Sequence, residues 1–216
     1  MLIPEFWADS RVQIKGHGKQ ITVRRSGWSM TSQAEAQAMA DTRTRDTIQQ
    51  AGYRILISIH GGHKGLALQR IRQFLEKNPT WSLRLYEPPA GLRLIATQRT
   101  FDAKDEAVQS LFNAICVDKM YARLCKNQNC FRARLTAKPW RIGLHGLKPR
   151  RAWPVSDDLR PSRCAWIEKY ERKAAHFAAC RFLETLGTAV IDADVRETIE
   201  LHDQLSRALQ PHLPIA

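Results

Sequence analysis

Between residues 53 and 136 the sequence alternates between strand-like and helix-like patterns, and this order limits the folds open to the chain. The β-branched and apolar runs predict strands, and the runs with apolar residues three and four apart predict helices. In chain order the pattern is strand, helix, strand, strand, helix and strand, at Tyr53 to His60, Leu66 to Glu76, Trp81 to Tyr86, Leu92 to Thr97, Asp102 to Cys116 and Phe131 to Leu135. This is the order of the split βαβ arrangement of ferredoxin-like domains. The sequence therefore predicts an α+β fold with a ferredoxin-like core.

Additions are predicted on both sides of this core. The three regions are an N-terminal strand and helix extension, the core, and a C-terminal helical pair packed on the core, at residues 1–52, 53–156 and 157–216. The extension contains a strand at Gln20 to Arg24 and an Ala-rich helix over residues 31–50. The C-terminal helices are predicted from Pro161 to Gly187 and from Asp194 to Leu209. The last helix places four side chains on one face, namely Val195, Ile199, His202 and Leu205.

The positive charge of the chain is concentrated in one stretch. The 216 residues carry a formal net charge of +13, yet from Lys119 to Ser156 there are ten Lys or Arg and no Asp or Glu. We call residues 119–156 the basic segment. A surface of this kind attracts polyanions, because cations that neutralise phosphates release the counterions condensed on them. The predicted partner is therefore nucleic acid or another phosphorylated polymer.

Residues 131–143, with the sequence FRARLTAKPWRIG, contain the strongest candidate contacts. In a strand Arg132 and Arg134 share one face. Lys138 and Arg141 flank Trp140, so cations for phosphates and a ring for an unpaired base lie within a few residues. The alternative is structural: Trp140 would lie in the core, and the arginines would pair with acids of distant helices, such as Glu168, Glu171 or Glu184.

A second candidate is the glycine turn before the first predicted core helix. Backbone N–H groups at the start of that helix, next to Lys64, would suit a phosphate. The spacing is not that of a P-loop or a dinucleotide fingerprint, and an ordinary exposed turn is the favoured interpretation. His60 and His63 could bind a metal, but no third ligand is placed by spacing.

Other motifs predict no catalytic residue, metal or cofactor. Cys125 and Cys130 form one loose pair with His145 further on, whereas zinc sites normally combine two close pairs. Asp192 and Asp194 alternate as metal-binding acids do, but Glu197 follows Asp194 as in a helix capping box. Five scattered cysteines and the lack of a secretory leader predict a reduced cytoplasmic protein. No apolar run approaches the roughly 20 residues of a membrane span.

Several strings resemble a family of uncharacterised bacterial proteins. They are FWADSRVQIKGHGKQITVRRSGWS near the start, LRLYEPPAGLRLIATQRTFD at 83–102, FRARLTAKPWRIG at 131–143 and AACRFLETLG at 178–187. The resemblance spans most of the chain and implies no established activity.

A more distant resemblance concerns Tyr86 to Leu94, which is similar to a motif of archaeo-eukaryotic-type primase–polymerases. In that motif a His after a glycine turn binds a nucleotide phosphate, and Arg93 stands at its position here. The resemblance implies a ferredoxin-like palm and a phosphate-binding role for Arg93. These enzymes need paired acids on a palm strand for two-metal chemistry, and Tyr53 to His60 contains none. The resemblance therefore implies a degenerate relative without polymerase activity.

Together these patterns predict a non-enzymatic binder of nucleic acid or of another phosphorylated polymer, which acts through the basic segment. Arg132, Arg134, Lys138, Arg141 and Trp140 are the predicted contacts, with Lys64 and Arg93 as weaker phosphate ligands. One alternative is a primase–polymerase-like enzyme that uses Asp102, Asp105 or the Asp192 and Asp194 pair. The other is an interaction module for an acidic protein partner.

Overall fold

The computed structural model describes residues 2–3, 49–148 and 154–216. The predicted strand at Gln20 to Arg24 and the predicted helix up to residue 48 lie outside the described residues. The described part has mixed α+β structure. Its elements in chain order are β1 Leu2–Ile3, α1 residues 49–59, α2 His63–Lys77, β2 Ser82–Glu87, β3 Arg93–Ala96, α3 Glu106–Ala114, α4 Lys119–Gln128, a 3-10 turn Pro139–Ile142, α5 Arg160–Ala174, β4 Arg181–Gly187 and α6 Ala193–Ser206. The chain divides into two compact units, residues 1–7 with 67–216 and residues 8–66.

The sheet belongs to the larger unit and has the strand order β1-β3-β2-β4. Every neighbouring pair is antiparallel, with Leu85 opposite Leu94 in the β2–β3 hairpin and Arg84 opposite Thr185 between β2 and β4. Because β1 and β2 are both antiparallel to β3, they run parallel to each other on its two sides. β2 and β3 are thus the central strands, and their side chains point alternately to two covered faces.

The first face of the sheet packs against helices α2 and α3. Leu83 and Leu85 of β2 share one buried apolar cluster with Ile71 of α2 and Leu111 of α3. Val108, Leu111 and Phe112 of α3 and its C-cap residue Ile115 recur at helical spacing and are all buried. They form the side of the helix that faces the core.

The second face of the sheet packs against α6. Tyr86 and Ile95 share a second apolar cluster with Val195 and Ile199. His202 is also buried on this face of α6, as its spacing predicted, whereas Leu205 is exposed. The strand residues on this side include Arg84, Tyr86 and Arg93, so this face is the more polar of the two.

Two of the predicted core strands are wrong. Residues 49–59 are helical, and Gly61 ends that helix with a φ of +71°. The Gly62 N–H donates to the Ile57 carbonyl at 2.7 Å, which is the hydrogen bond of a Schellman cap. The glycines therefore end a helix and do not follow a strand. Phe131 to Leu135 has no regular secondary structure and is not one of the strands of the sheet.

A third difference lies near the C-terminus. The helix predicted up to Gly187 ends at Ala174, and Arg181–Gly187 forms β4. Phe182 and Leu186 of this strand reach the two opposite apolar clusters, because a β-bulge opposite Leu85 and Tyr86 shifts the alternation of β4 by one residue. The C-terminal region is therefore not a helical pair, because its middle completes the sheet. No helix in the described ranges is long and apolar enough to cross a membrane.

Candidate nucleic-acid interface and a buried polar cluster

The middle of the basic segment is held in place by its backbone and its small apolar side chains. Ala137, Ile142 and Leu144 share a buried cluster with Ala216. The Tyr170 hydroxyl of α5 donates to the Ala137 carbonyl at 2.6 Å. Because these anchors use main-chain groups and apolar atoms, the charged side chains of the segment are left to face outward.

The burial of residues 131–136 alternates along the chain. Phe131 and Leu135 are half-buried, and Phe131 meets the Phe112 ring edge-on at 6.5 Å between centroids. Arg132 and Arg134 are exposed. The Arg132 N–H donates to the Tyr121 hydroxyl at 3.3 Å, which fixes the backbone at the start of the alternation. The two arginines thus share the outer side, although the residues form no strand.

Trp140 lies outside the core, with 65% of its surface exposed. It is in the 3-10 turn, and the Lys138 Nζ lies 5.5 Å from its ring centroid, within cation–π range. Arg141 is exposed beside it. Among the residues that the structure describes, no acid forms an ion pair with Arg132, Arg134 or Arg141. The structural alternative, in which acids of distant helices cover these arginines, is therefore not what the described residues show.

The cations of the basic segment extend beyond these residues. Eight of the ten lie in the described ranges, and all but the half-buried Lys138 are exposed; the exposed ones are Lys119, Arg123, Lys126, Arg132, Arg134, Arg141 and Lys148. A cavity of about 330 Å³ adjoins the segment, with Lys148, Lys169, Ser162 and Trp166 in its lining. Two ammonium groups, a hydroxyl and a ring suit an anionic group with an attached flat or apolar part.

Lys64 and Arg93 have different surroundings. Lys64 is exposed in the first turn of α2, within the smaller unit. Arg93 is only 1% exposed and lies between the sheet and α6. A phosphate in solvent has no access to Arg93 in this arrangement, because its guanidinium is covered.

Two of the candidate metal-binding acids, Asp192 and Asp102, already accept local hydrogen bonds. The Asp192 carboxylate accepts the Asp194 N–H at 2.9 Å and caps α6, which begins at Ala193, one residue before the predicted start. Asp102 accepts from the Lys104 N–H and from the Asn129 side chain, which lower the pKa of its carboxyl. In residues 49–148 and 154–216, no three His, Cys, Asp or Glu side chains are grouped to hold a metal ion.

A group of polar side chains is enclosed between the second sheet face and α6. We call it the buried polar cluster; its members are Arg84, Tyr86, Arg93, Cys180, His202 and Asp203. β2, β3, α6 and the residue before β4 each contribute at least one of them. The alternation of β2 puts Arg84 and Tyr86 on the same face, while His202 and Asp203 are adjacent in α6.

Asp203 is the acceptor at one end of this cluster. Its carboxylate receives hydrogen bonds from Arg84 at 2.6 Å, from the Tyr86 hydroxyl at 2.7 Å and from His202 Nδ1 at 3.0 Å. Burial alone would raise the pKa of Asp203, but the His202 and Tyr86 hydrogen bonds and the charge of Arg84 hold it below its usual value. Burial raises the pKa of Tyr86. Asp203 is therefore ionised and Tyr86 is protonated at neutral pH.

His202 connects the two ends of the cluster. Because Nδ1 donates to Asp203, Nε2 is the acceptor of the Arg93 hydrogen bond at 3.1 Å. Burial lowers the pKa of His202, and the neighbouring Arg93 charge acts in the same direction. The imidazole is therefore neutral at neutral pH.

Arg93 forms the other end of the cluster. One of its terminal nitrogens, Nη1, donates both to His202 Nε2 and to the Cys180 sulfur, the latter at 3.5 Å. The sulfur is also 3.9 Å from His202 Nε2. The Arg93 Nε is buried without a hydrogen-bond partner. Within the described part of the chain no carboxylate contacts Arg93, and the groups that accept its hydrogen bonds there are His202 Nε2 and the Cys180 sulfur.

The Arg84 and Asp203 end of the cluster reaches a surface groove of about 530 Å³. Arg196 and Gln204 line the groove together with the apolar Ile199. The Cys180 end does not open there, since Cys180 is 0% exposed. The cluster therefore has one end near solvent and one end sealed.

Only two members of this cluster were singled out from the sequence: Arg93 as a phosphate ligand, and His202 as a residue on one face of the last helix. The available signal was charge inside apolar strands, because Arg84 and Arg93 interrupt two predicted core strands. Cys180 gave no signal, since it was assigned to the middle of a helix. No family model, curated protein or solved structure matches this chain. The bacterial-family and primase–polymerase resemblances therefore stay predictions.

Proposed function

We propose that the basic segment binds nucleic acid, or another phosphorylated polymer, without catalysing a reaction on it. The observation that carries this proposal is Trp140, a large ring exposed to 65% among exposed arginines that have no acid partner in the described residues. A ring that stays exposed does not contribute the favourable free energy that its burial would give the fold. A base that stacks on the ring would bury part of this surface when the ligand binds.

The chemistry of the segment fits such a polymer on two counts. Exposed Lys and Arg side chains neutralise phosphates, and this term gives affinity without sequence selectivity. An aromatic side chain stacks on an unpaired base of any identity. Arg132, Arg134, Lys138 and Arg141 would hold phosphates, and Trp140 would stack on a base. The combination favours single-stranded or locally unpaired ligands.

The enzyme alternative has less support. It needs acids that are free to bind metal, whereas Asp192 caps α6 and Asp102 accepts hydrogen bonds from Lys104 and Asn129. Arg93, the phosphate ligand implied by the primase–polymerase resemblance, is buried. The ferredoxin-like relationship remains part of the proposal: the placement of β1 and β2 on either side of β3 fits a split βαβ unit, although β1 lies outside the predicted core and β4 lies beside β2. The five cysteines, all within the described residues, form no disulfide there, which fits the proposed cytoplasmic location.

The test is fluorescence anisotropy with labelled single- and double-stranded DNA and RNA across a salt series. The variant is Arg132→Ala/Arg134→Ala/Arg141→Ala. The matched control removes three exposed cations elsewhere in the same compact unit, as Arg72→Ala/Lys104→Ala/Arg196→Ala. The two triple variants have equal net charge, so a difference between them reports position.

We expect the wild type and the control to bind with micromolar affinity or tighter at low salt, and the segment variant to bind far more weakly. The slope of log affinity against log salt should become shallower by about 2 for a single strand, since each phosphate contact contributes about 0.7. Equal and feeble binding by all three proteins would reject the proposal and favour an acidic protein partner. Binding that requires a divalent metal would favour the enzyme alternative.

A further inference from the structure

The buried polar cluster contains more positive than negative charge if Cys180 is an uncharged thiol. Arg84 and Arg93 are both cations, while Asp203 is the one carboxylate in the cluster. His202 and Tyr86 are neutral, as shown above. An uncompensated buried charge is strongly destabilising, so folded proteins pair such charges.

Arg84 already has its counter-ion, because it donates to Asp203 at 2.6 Å. Arg93 donates to only two groups in the described residues, His202 Nε2 and the Cys180 sulfur. A neutral imidazole cannot supply negative charge. The sulfur is thus the group in contact with Arg93 that can become an anion.

We propose that Cys180 is a thiolate, ion-paired with Arg93, and that it is a site of reversible oxidation by hydrogen peroxide. Thiolates rather than thiols are the nucleophiles in this chemistry, and a neighbouring guanidinium stabilises the charged form. Cys125 provides the contrast: it is equally buried, but burial raises the pKa of its thiol. The two buried cysteines of one protein are therefore expected to react differently.

The oxidation is a two-electron step. The Cys180 sulfur attacks one oxygen of hydrogen peroxide, a sulfur–oxygen bond forms, and the oxygen–oxygen bond breaks. The leaving hydroxide takes the proton of the new S–OH group, so thiolate and peroxide become sulfenate and water. The negative charge stays next to Arg93, whose Nε–H has no partner in the structure and is a donor available to an added oxygen.

Size selects the oxidant, because Cys180 is fully covered. Hydrogen peroxide is small and uncharged and can reach Cys180 during brief local opening around α6. A bulky reagent that modifies thiols needs a larger opening. Exposed Cys116 and Cys164 allow both reagents to be compared in the same molecule.

The first experiment records thiolate absorbance at 240 nm from pH 5 to pH 10 for the full chain. Subtracting the spectrum of Cys180→Ala isolates Cys180, and Cys125→Ala gives the matched curve for the other buried cysteine. We expect the Cys180 midpoint below about pH 7, within the range of activated thiols. A midpoint at or above about pH 8.5, the value for a free thiol, overturns the proposed thiolate.

The second experiment treats the full chain with hydrogen peroxide and traps sulfenic acid with dimedone, followed by peptide mass spectrometry. We expect dimedone on Cys180 within the first minutes, and at least a tenfold lower yield on Cys125. Thiol reductant should restore the untreated protein. Labelling of Cys116 and Cys164 alone overturns the oxidation part of the proposal.

Arg93 is tested by two substitutions, because loss of a buried cation can unfold the protein. Arg93→Lys keeps the charge and should keep a low midpoint, while Arg93→Gln should raise it by more than one pH unit. Circular dichroism checks that each variant is folded. If both Arg93 variants unfold, the proposed thiolate is still tested by the difference spectrum between wild type and Cys180→Ala, which does not depend on them. An unchanged midpoint in folded Arg93→Gln rejects the ion pair.

Discussion

The basic segment and the buried polar cluster both depend on arginine, but they place its charge in opposite environments. Around Arg132 and Arg134 the backbone is anchored and the guanidinium groups lie in solvent, where mobile ions neutralise them. In the cluster Arg84 and Arg93 are enclosed, and fixed protein groups must neutralise them. Arginine count and net charge do not distinguish the exposed arginines from the enclosed ones, whereas burial and the nature of the counter-charge do.

The comparison implies two different effects of mutation. A buried ion pair that loses one partner leaves an uncompensated charge, so the fold should lose stability. An exposed cation that is removed should cost the fold almost nothing, and its loss should be visible only when a ligand binds.

Asp203→Ala should give the largest loss of stability, because it removes the common acceptor of Arg84, Tyr86 and His202. We expect a decrease of about 3–5 kcal/mol in the free energy of unfolding, measured by urea denaturation. Asp157→Ala is the control, since its ion pair with Arg160 is exposed and should contribute little. Equal losses in the two variants would contradict the distinction between the regions.

Trp140→Ala should weaken binding to single-stranded nucleic acid by about 1–3 kcal/mol, as expected for a lost stacking partner. Its free energy of unfolding should stay near the wild-type value, because most of the ring is already exposed. Trp140→Phe should recover part of the affinity. Anisotropy measures the first effect and urea denaturation the second. Strong destabilisation of Trp140→Ala would show that the ring has a structural role.

His202 should make the protein less stable in mild acid. Its folded pKa lies below its unfolded value of about 6.5, so the unfolded chain binds a proton first as the pH falls. Stability is therefore expected to decrease from about pH 6.5 down to the folded pKa, by at most about 1.4 kcal/mol per pH unit. Asp203 acts in the same direction at lower pH, because the pKa of its carboxyl is also lowered.

This pH effect is measured as the free energy of unfolding at pH 7.0, 6.0 and 5.0, with urea. His202→Gln should reduce the slope between these values, since the substituted side chain does not titrate. His212→Gln, at an exposed position outside the cluster, serves as the control. A slope that is unchanged in His202→Gln would assign the acid sensitivity to other groups.

Arg134→Ala should have the smallest effect. Its guanidinium is exposed, so the free energy of unfolding should change by less than about 0.5 kcal/mol. If it holds one phosphate, the salt dependence of binding should become shallower by about 1 unit or slightly less. A salt series on this variant and on the control Arg196→Ala measures that difference. An equal slope in both would remove Arg134 from the interface.

The parts of the fold that depend on local pattern were predictable from the sequence. The β2–β3 hairpin, α2, α3 and α6 lie close to their predicted bounds because apolar spacing, turn residues and caps act within each element. The strand predicted at residues 53–60 was wrong because the β-branched run was given more weight than the helix end at Gly61–Gly62. β4 was missed because the helix predicted from Pro161 was continued to Gly187, whereas it ends at Ala174.

The two sites differ in the same way. The charge of the basic segment is contiguous in sequence, so its character was readable without a structure. The cluster joins Arg84 to Asp203, which are 119 residues apart. Single-sequence patterns do not report which distant residues meet across a sheet and a helix, and Arg93 was accordingly predicted to face a ligand when it is enclosed.

Helix α5 is attached to its neighbours mainly by hydrogen bonds, and this attachment would make it sensitive to a bound ligand. None of its side chains is buried, so hydrophobic packing holds this helix only weakly. It is attached mainly by side-chain donors to carbonyls: Tyr170 to Ala137, Trp166 to His145, and Arg207 of the following region to Ala174 and Ala175. The amide protons of α5 should therefore exchange with solvent faster than those of the sheet. A polymer bound to the basic segment would slow that exchange by stabilising the residues to which α5 is attached, so the exchange rate of this helix would report occupancy of the segment.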